Sequence, residues 1–511
     1  MVLVNVVDKL ALLGSVLVAC ASCSVKDPLY CQSSADCDDP ARPICDVKGE
    51  FASSDYIANT CIPRPDDCPP QVCGCSPGAF LNCTTAGAER CGADGMSAET
   101  QVCTDGCSTT AGGCLCAAGA SVCADGAVST CDASGVFGAP VACTLGCATD
   151  GARCVDIDAS NGVNQALDAQ VDRMDIVLSD GARFDTSSGA VVDGDGSAKA
   201  VSSVVVVQGS GPPIRAFVVR SIVLSNTTVT GANGFAIVAD GEIKVIGQVS
   251  VRGTATAAAP GASQVTGCVG TGVTAGLSSQ IGEYWQGAGG GGGALAGGAG
   301  GEAHASGIGP AGGSAVGMAE VVPLAGGCRG GNLLHNDGSV ASRGGAGGGA
   351  LQFVSRQAIR IVRDGTDIGI LDVGGLGGGG NAAGGGSGGA LLLEAPIVIV
   401  DGAGVGLFAN GGAGAGGSCG VKGNDAIVGT QPAIGVACGA NTAGGDGGTG
   451  GMAATAGANG TCGSFCNIGY KLGGGGGAVG RVRINTQTGT FAATNGGAIS
   501  GSSSVGPIGT R

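Results

Sequence analysis

GGGSGGALLLEAPIVIVDGAGVGLFANGGAGAGG, residues 384–417, decides the fold. It holds three short apolar runs, Ala390–Leu393, Ile397–Val400 and Val405–Ala409, punctuated by Pro396 and Asp401-Gly402 and flanked by glycine-rich sequence. Each run is long enough for a strand and too short for a helix, and Gly, Pro and Asp-Gly form turns. Three strands per unit, in a unit that recurs, predict one coil of a parallel β-solenoid.

The unit recurs on both sides. Upstream, Val201–Gln208, Ala216–Leu224 and Phe235–Val238 are β-rich runs, followed by the alternating Ile243, Val245, Val249 and Val251. Alternation is the mark of a half-buried strand. Leu351, Phe353, Ile359, Ile361 and Ile368–Val373 form a further copy, with Ala350 and Ala390 one 40-residue step apart. Ala478–Ile484 followed by Phe491–Ala493 is a shorter one. The expected interior includes Leu391, Leu393, Val398 and Val400. Mainly β structure is thus predicted over 176–511, as a right-handed parallel β-helix preceded by a linker or cap at 155–175. An antiparallel β-sandwich is the alternative, since it too uses short alternating strands. The architecture resembles the pectate-lyase-like β-helix of bacterial adhesins and autotransporter passengers.

Composition points the same way. Glycine supplies 107 of 511 residues, about three times the usual share, and aromatics only 3%. A core stacked from Val, Ile, Leu and Ala fits better than one built on large side chains. The net charge of -15, with only 12% charged residues, leaves no basic stripe for phosphates and argues against a nucleic-acid partner. Glycine concentrates in insertions at about 253–349 and 411–477, which contain Cys268, Cys328, Cys419, Cys438, Cys462 and Cys466. Polyglycine is entropically costly to order, so these blocks are expected to be loops stapled by disulfides. The rival is ordered, extended polyglycine packing, and sequence does not choose between them.

The first residues read as a targeting segment. Lys9 precedes the apolar run Leu10–Ala19, which would span roughly 15 Å as a helix against a bilayer core of about 30 Å. A signal-peptide core at 1–19 is therefore expected, not a transmembrane anchor. Leu17-Val18-Ala19-Cys20 resembles the lipobox of bacterial lipoproteins. That resemblance implies diacylation of Cys20, a tether over 20–30, and, with Ala21 following, the outer membrane, on its periplasmic side or at the cell surface.

Twenty of the 26 cysteines lie in residues 1–154, and after an export signal disulfides are their default state. Cys83, Cys91, Cys103, Cys107 and Cys114 recur 40 residues later as Cys123, Cys131, Cys143, Cys147 and Cys154, opened by Cys75 and Cys116 respectively. Two six-cysteine repeats follow, 74–115 and 116–154, after a looser module at 31–73 with Cys31, Cys37, Cys45, Cys61, Cys68 and Cys73. That looser six reads either as a divergent module or as a four-cysteine knot plus a clasp. Such small units need disulfides in place of a core, but six cysteines allow 15 pairings and spacing does not select one. Zinc is disfavoured because no histidine precedes residue 304 and the close cysteine pairs fall at module ends. The spacing C-x6/7-C-x7-C-x11-C-x3-C-x6-C resembles the cysteine-rich repeats of surface lipoproteins from myxobacteria and related bacteria, which often continue into glycine-rich sequence. The resemblance implies a cell-surface role and carries over no residues beyond Cys20 and the cysteine framework.

Nothing in the sequence reads as catalytic. Asp156, Asp158 and Ser160 begin like a calcium loop, but Asn161 and Leu167 stand where glycine and a bidentate glutamate are needed. Asp193-Gly-Asp195-Gly reads as a turn. The glycine-flanked Ser387 and Ser418 match a nucleophile elbow by composition alone, and the two histidines, His304 and His335, form no metal motif. Arg356, Arg360, Arg363, Asp364 and Asp367 make one local charge cluster, read as a solvated face. No cofactor or metal is expected. The function expected is a non-enzymatic surface lipoprotein for adhesion or envelope interaction, partnered by the membrane through its lipid and by extracellular polysaccharide or a surface protein. A carbohydrate-active enzyme on the same scaffold is the alternative.

Overall fold

A computed structural model describes residues 31–32, 37, 44–46, 59–62 and 75, most of 78–262, 286–301, 310–438 with short gaps, 442–443, 461–462 and 473–511. The chain is mainly β and divides into two units, 1–154 and 155–511. Cys20, with the signal and tether, lies outside the described residues, as do Cys68 and Cys73.

In the first unit the two repeats pair their cysteines identically. Cys75–Cys91, Cys83–Cys107 and Cys103–Cys114 in one correspond to Cys116–Cys131, Cys123–Cys147 and Cys143–Cys154 in the other. The connectivity is first to third, second to fifth and fourth to sixth. Each repeat is built on small antiparallel strands, such as Phe80–Thr84 with Gly87–Cys91 and Ser121–Ala124 with Ala127–Thr130. The looser module shares the first of these links, Cys31–Cys45, and its Cys37–Cys61 bond spans the same 24 residues as the second link of each repeat. Buried side chains here are chiefly the cysteines themselves, so each disulfide, at about 2–4 kcal/mol, substitutes for core. Reduction is accordingly expected to make 31–154 protease-sensitive while the sheets of 155–511 persist, as followed by limited proteolysis with and without dithiothreitol.

In the second unit the chain visits three sheets in rotation. Sheet one receives Ile214–Val219, Gly234–Ala239, Ala350–Ser355, Ala390–Glu394, Arg481–Thr486 and Ser502–Pro507, each parallel to the one before. Sheet two receives Asp175–Val177, Ser221–Leu224, Ile243–Val245, Ala358–Asp364 and Ile397–Asp401, again parallel. Sheet three receives Ala182–Asp185, Thr227–Thr230, Gln248–Ser250, Ile370–Asp372, Gly406–Phe408 and Ala498–Ser500 in the same sense. The 40-residue step is a ladder rung: Ala350 pairs with Ala390, which pairs with Arg481. Among the described residues antiparallel pairing occurs at the start, including Ser202–Val206 on Ile214–Val219, in short hairpins, and in the bridge between Ile157 and Thr510.

The alternating residues point between the sheets. Ile243, Val245, Val249, Val251, Leu391, Leu393, Val398 and Val400 belong to one continuous buried cluster. Phe184, Phe217, Phe235 and Phe353 line up within it, neighbouring ring centroids 4.9 to 6.1 Å apart, contacts worth about 0.5–1.5 kcal/mol each beyond area burial. The outer side of sheet one is covered too, by Ile157, Val163 and the helix Asn164–Asp168, so the expected cap is a lid lying along a sheet. Asp193-Gly-Asp195 is the turn of the hairpin Val191–Val192/Ala198–Lys199. Phe491–Ala493 forms no strand; Ala498–Ser500 takes the sheet-three position instead.

The glycine insertions all leave after a sheet-three strand and return into a sheet-one strand, at 252–349, 373–389 and 409–480. Where described, they are not loops. Their limbs run extended side by side and hydrogen-bond to one another, and the rival expectation of ordered polyglycine packing is the one observed. Residues 382–389 form the centre. Their amides donate to three limbs: Gly384 and Ser387 to Gly331 and Cys328, Gly385 and Gly388 to Gly475 and Ala478, Gly386 and Gly389 to Leu376 and Val373, at 2.8–3.1 Å. Their carbonyls accept from three others, through Ala288 and Gly291, Gly345 and Gly348, and Gly412 and Ala415. Bonds to any one neighbour recur every third residue, the period of a polyproline II helix, which has no internal hydrogen bonds and turns its amides outward.

Six neighbours around one backbone leave room for only the small side chains of Ala382, Ala383 and Ser387, and for none at the glycines between them. A Cβ at Gly385 would lie 2.1 Å from the Gly412 carbonyl oxygen, and one at Gly386 2.0 Å from that of Ala346. The entropic cost of glycine is offset because every central amide and every central carbonyl but that of Gly388 finds a partner away from water, where an orphan would cost about 1–3 kcal/mol. The insertions therefore extend the sheets: return limbs run parallel as sheet one does (Gly345 to Gly384, Gly385 to Gly475), and outgoing limbs as sheet three does (Gly375 to Asn410). Gly385→Ala is expected to lower unfolding stability by about 3 kcal/mol or more, in the upper range for overpacking. Gly209→Ala, whose new Cβ would meet nothing within 4 Å, should leave the thermal midpoint within about a degree or raise it.

Candidate functional site

The charged cluster singled out in the sequence is distributed along the sheets as ion pairs between successive rungs. Arg360 pairs with Glu242 at 2.9 Å and Lys244 with Asp364 at 2.9 Å, all partly exposed. Arg363 donates to the Ala403 carbonyl. Arg356 turns the other way, gripping Asp156 through both carboxylate oxygens (2.8 and 2.7 Å) and Asp240 at 2.5 Å. Arg511 joins Asp156 and Asp168, so the residues that begin and end this unit are tied together. Burial opposes ionisation of Asp156, but Arg356 overcomes it and holds the carboxyl below its ordinary value. Asp158 accepts from Asn164, so the carboxylates of the calcium-like stretch are committed to protein partners.

Ser387 is buried at the centre of the glycine bundle, its hydroxyl oxygen 2.9 Å from the Cys328 amide that donates to it. It is packing, not a nucleophile. Ser418 and His304 lie outside the described residues. The paired cysteines of the repeats hold no free thiolate for a metal; the sulfur groups around Cys31 and Cys123 are neighbouring disulfides.

Two places were not legible in the sequence. One is Glu394, 1% exposed on the covered side of sheet one. Its carboxyl accepts from the Ser160 hydroxyl at 2.7 Å, the Ser160 amide at 3.2 and 3.3 Å, Gln352 Nε2 at 2.7 Å and Asn485 Nδ2 at 3.2 Å. Gln352 and Asn485 stand on the strands either side of Glu394 in the sheet, and Ser160 comes from the lid. Burial pushes the Glu394 pKa above its usual value, against these donors. With no exposed face it can transfer no proton to a substrate; it fastens the lid. Asp372 does the same at the corner where an insertion leaves, fully buried against Arg252 at 2.6 Å and Gln248 at 2.9 Å.

The other is a cavity of about 390 Å³ between the start of sheet one and the glycine limbs. Its wall includes Ala294, Ala315, Val316, Val321, Gly388 and Arg481. Arg481 is its one charged side chain. The guanidinium donates to the carbonyls of Ala294, Val316 and Gly317 at 3.0–3.4 Å. Its wall also carries a non-glycine residue in the left-handed region, Val321 at φ 56°, uncommon and costly for a β-branched side chain.

No family description, curated protein or solved structure matches the chain.

A raised carboxyl pKa means the folded state binds a proton the unfolded state has lost. Its stabilising share is full below the unfolded value, about 4.5, and is lost as pH climbs through the folded one. The thermal midpoint of the unaltered protein relative to Glu394→Gln should therefore fall as pH rises above about 4.5. Glu394→Ala, which strands the donors on Ser160, Gln352 and Asn485, should cost about 2–4 kcal/mol in denaturant unfolding.

Proposed function

We propose that this chain is an exported, non-enzymatic lipoprotein of the cell envelope, held by lipid on Cys20, that presents a parallel β-helix decorated with a polyglycine bundle. The observation that carries export is the set of disulfides, identical in the two repeats, which form and persist in oxidising compartments. Among the described residues no helix is long and apolar enough to cross a membrane, so attachment in this reading rests on the acylated cysteine, whose paired chains give firm anchoring. The rotation of the chain through three parallel sheets supports the β-helix. The solvent-facing carboxylates of Asp175, Glu242 and Asp364, committed to Arg220, Arg360 and Lys244, support adhesion or scaffolding over hydrolysis, for which unpaired carboxylates converging on a groove would be needed. The outer membrane is the proposed site, by the lipobox resemblance and Ala21. Cys20→Ala should move the protein from the membrane fraction to the periplasm or medium, as followed by fractionation and immunoblot. Retention of that variant in the membrane would overturn the lipoprotein reading.

A further inference from the structure

We infer that the cavity beside Arg481 receives the C-terminal carboxylate of a short peptide with small side chains. The charge and hydrogen-bond balance of its wall leads there. Arg481 supplies a full positive charge with no carboxylate within ion-pair distance among the described residues, and no Asp or Glu lines the cavity. Three carbonyls engage the Nε and Nη2 sides of the guanidinium, which leaves Nη1 without an acceptor among the described residues. The amides of Ala315, Gly317 and Ala325, on the same wall, also have no acceptor there. The wall thus offers an unused guanidinium edge and free amides to a carboxylate, while the carbonyls of Gly327 and Gly388, which accept from no donor among the described residues, can take the N–H groups of a peptide. An anion with two oxygens in a plane suits a guanidinium edge, and such charge-assisted bonds are roughly twice as strong as neutral ones. Burial pulls the Arg481 pKa down from its usual value, only partly opposed by the more distant Glu320, so a carboxylate bound at the guanidinium would favour its charged form further.

The shape selects the rest of the ligand. Gly211, Gly293, Gly327, Gly388, Gly389 and Gly480 contribute to the wall, and no aromatic ring does. Sugars are commonly held on aromatic faces, whereas a wall of extended backbone matches another extended backbone, as the glycine limbs match each other. The volume falls within the usual range for small-ligand sites, about 300–1,000 Å³. A peptide of Gly and Ala fills it without side-chain conflict, and capture of a terminal carboxylate among backbone amides is a recurring recognition mode. This inference does not depend on the lipid anchor or on adhesion.

The test is a calorimetric titration of the full, oxidised chain with Gly-Gly-Ala, its C-terminal amide and glucuronate. Saturable binding of the free acid is expected, at least about tenfold weaker for the amide and for glucuronate. Arg481→Gln should abolish it. Because Arg481 also holds three carbonyls, Ala315→Leu, at an exposed position on the rim, provides a second variant that occludes the cavity and keeps the charge. It too should abolish binding with the thermal midpoint unchanged. Equal binding of the amide, tighter binding of glucuronate, unaltered binding in a folded Ala315→Leu protein, or no saturable binding of the tripeptide would overturn the inference.

Discussion

Backbone crowding around residues 382–389 is the constraint on which the second unit depends. Six extended limbs surround this segment, and a Cβ at Gly385 or Gly386 would stand about 2 Å from a neighbouring carbonyl oxygen. Only glycine lets chains approach so closely, the same steric logic that puts glycine at the axis of collagen. Because four of the six limbs, and the central segment itself, continue directly into sheet strands, the packing of glycine and the stacking of sheets are one cooperative structure. Ala390 follows Gly389 directly and pairs with both Ala350 and Arg481, so a displaced central limb would shift the register of sheet one.

Around that bundle, polar contacts decide where elements stop. Glu394 collects donors from two strands and from the lid, and Asp372 with Arg252 closes a corner. Buried charges of this kind add little net stability when paired and cost several kcal/mol when a partner is lost. Their placement at the lid and at a corner fits a role in specifying geometry. The exposed pairs, such as Arg360 with Glu242, are worth about 1 kcal/mol or less and chiefly keep the outer faces of the sheet soluble. The first unit solves the small-core problem differently, with disulfides in place of apolar area, and repeats one connectivity in both six-cysteine modules.

Much of this was readable in advance because it is periodic. Alternation marked Ile243, Val245, Leu391 and Leu393 as interior, the 40-residue step anticipated the pairing of Ala350 with Ala390, and equal cysteine offsets anticipated two equivalent modules. Less legible was Ser502–Pro507, a strand with few apolar residues. Glu394 and Arg481 were invisible as sites, since each sits inside an ordinary strand pattern and gains meaning from residues 160 and 316, far away in the chain.

By itself the sequence determined the local terms: strand-sized apolar runs, turn chemistry at Asp401-Gly402, disulfide-dependent modules, and too few large side chains for a conventional core. Tertiary structure alone decided which cysteine meets which, and whether polyglycine is loop or lattice. The physical reason is that neither is a property of one segment. A disulfide pairing requires two Cβ atoms to be brought within reach, and a glycine limb without internal hydrogen bonds becomes ordered only when neighbours on several sides supply them.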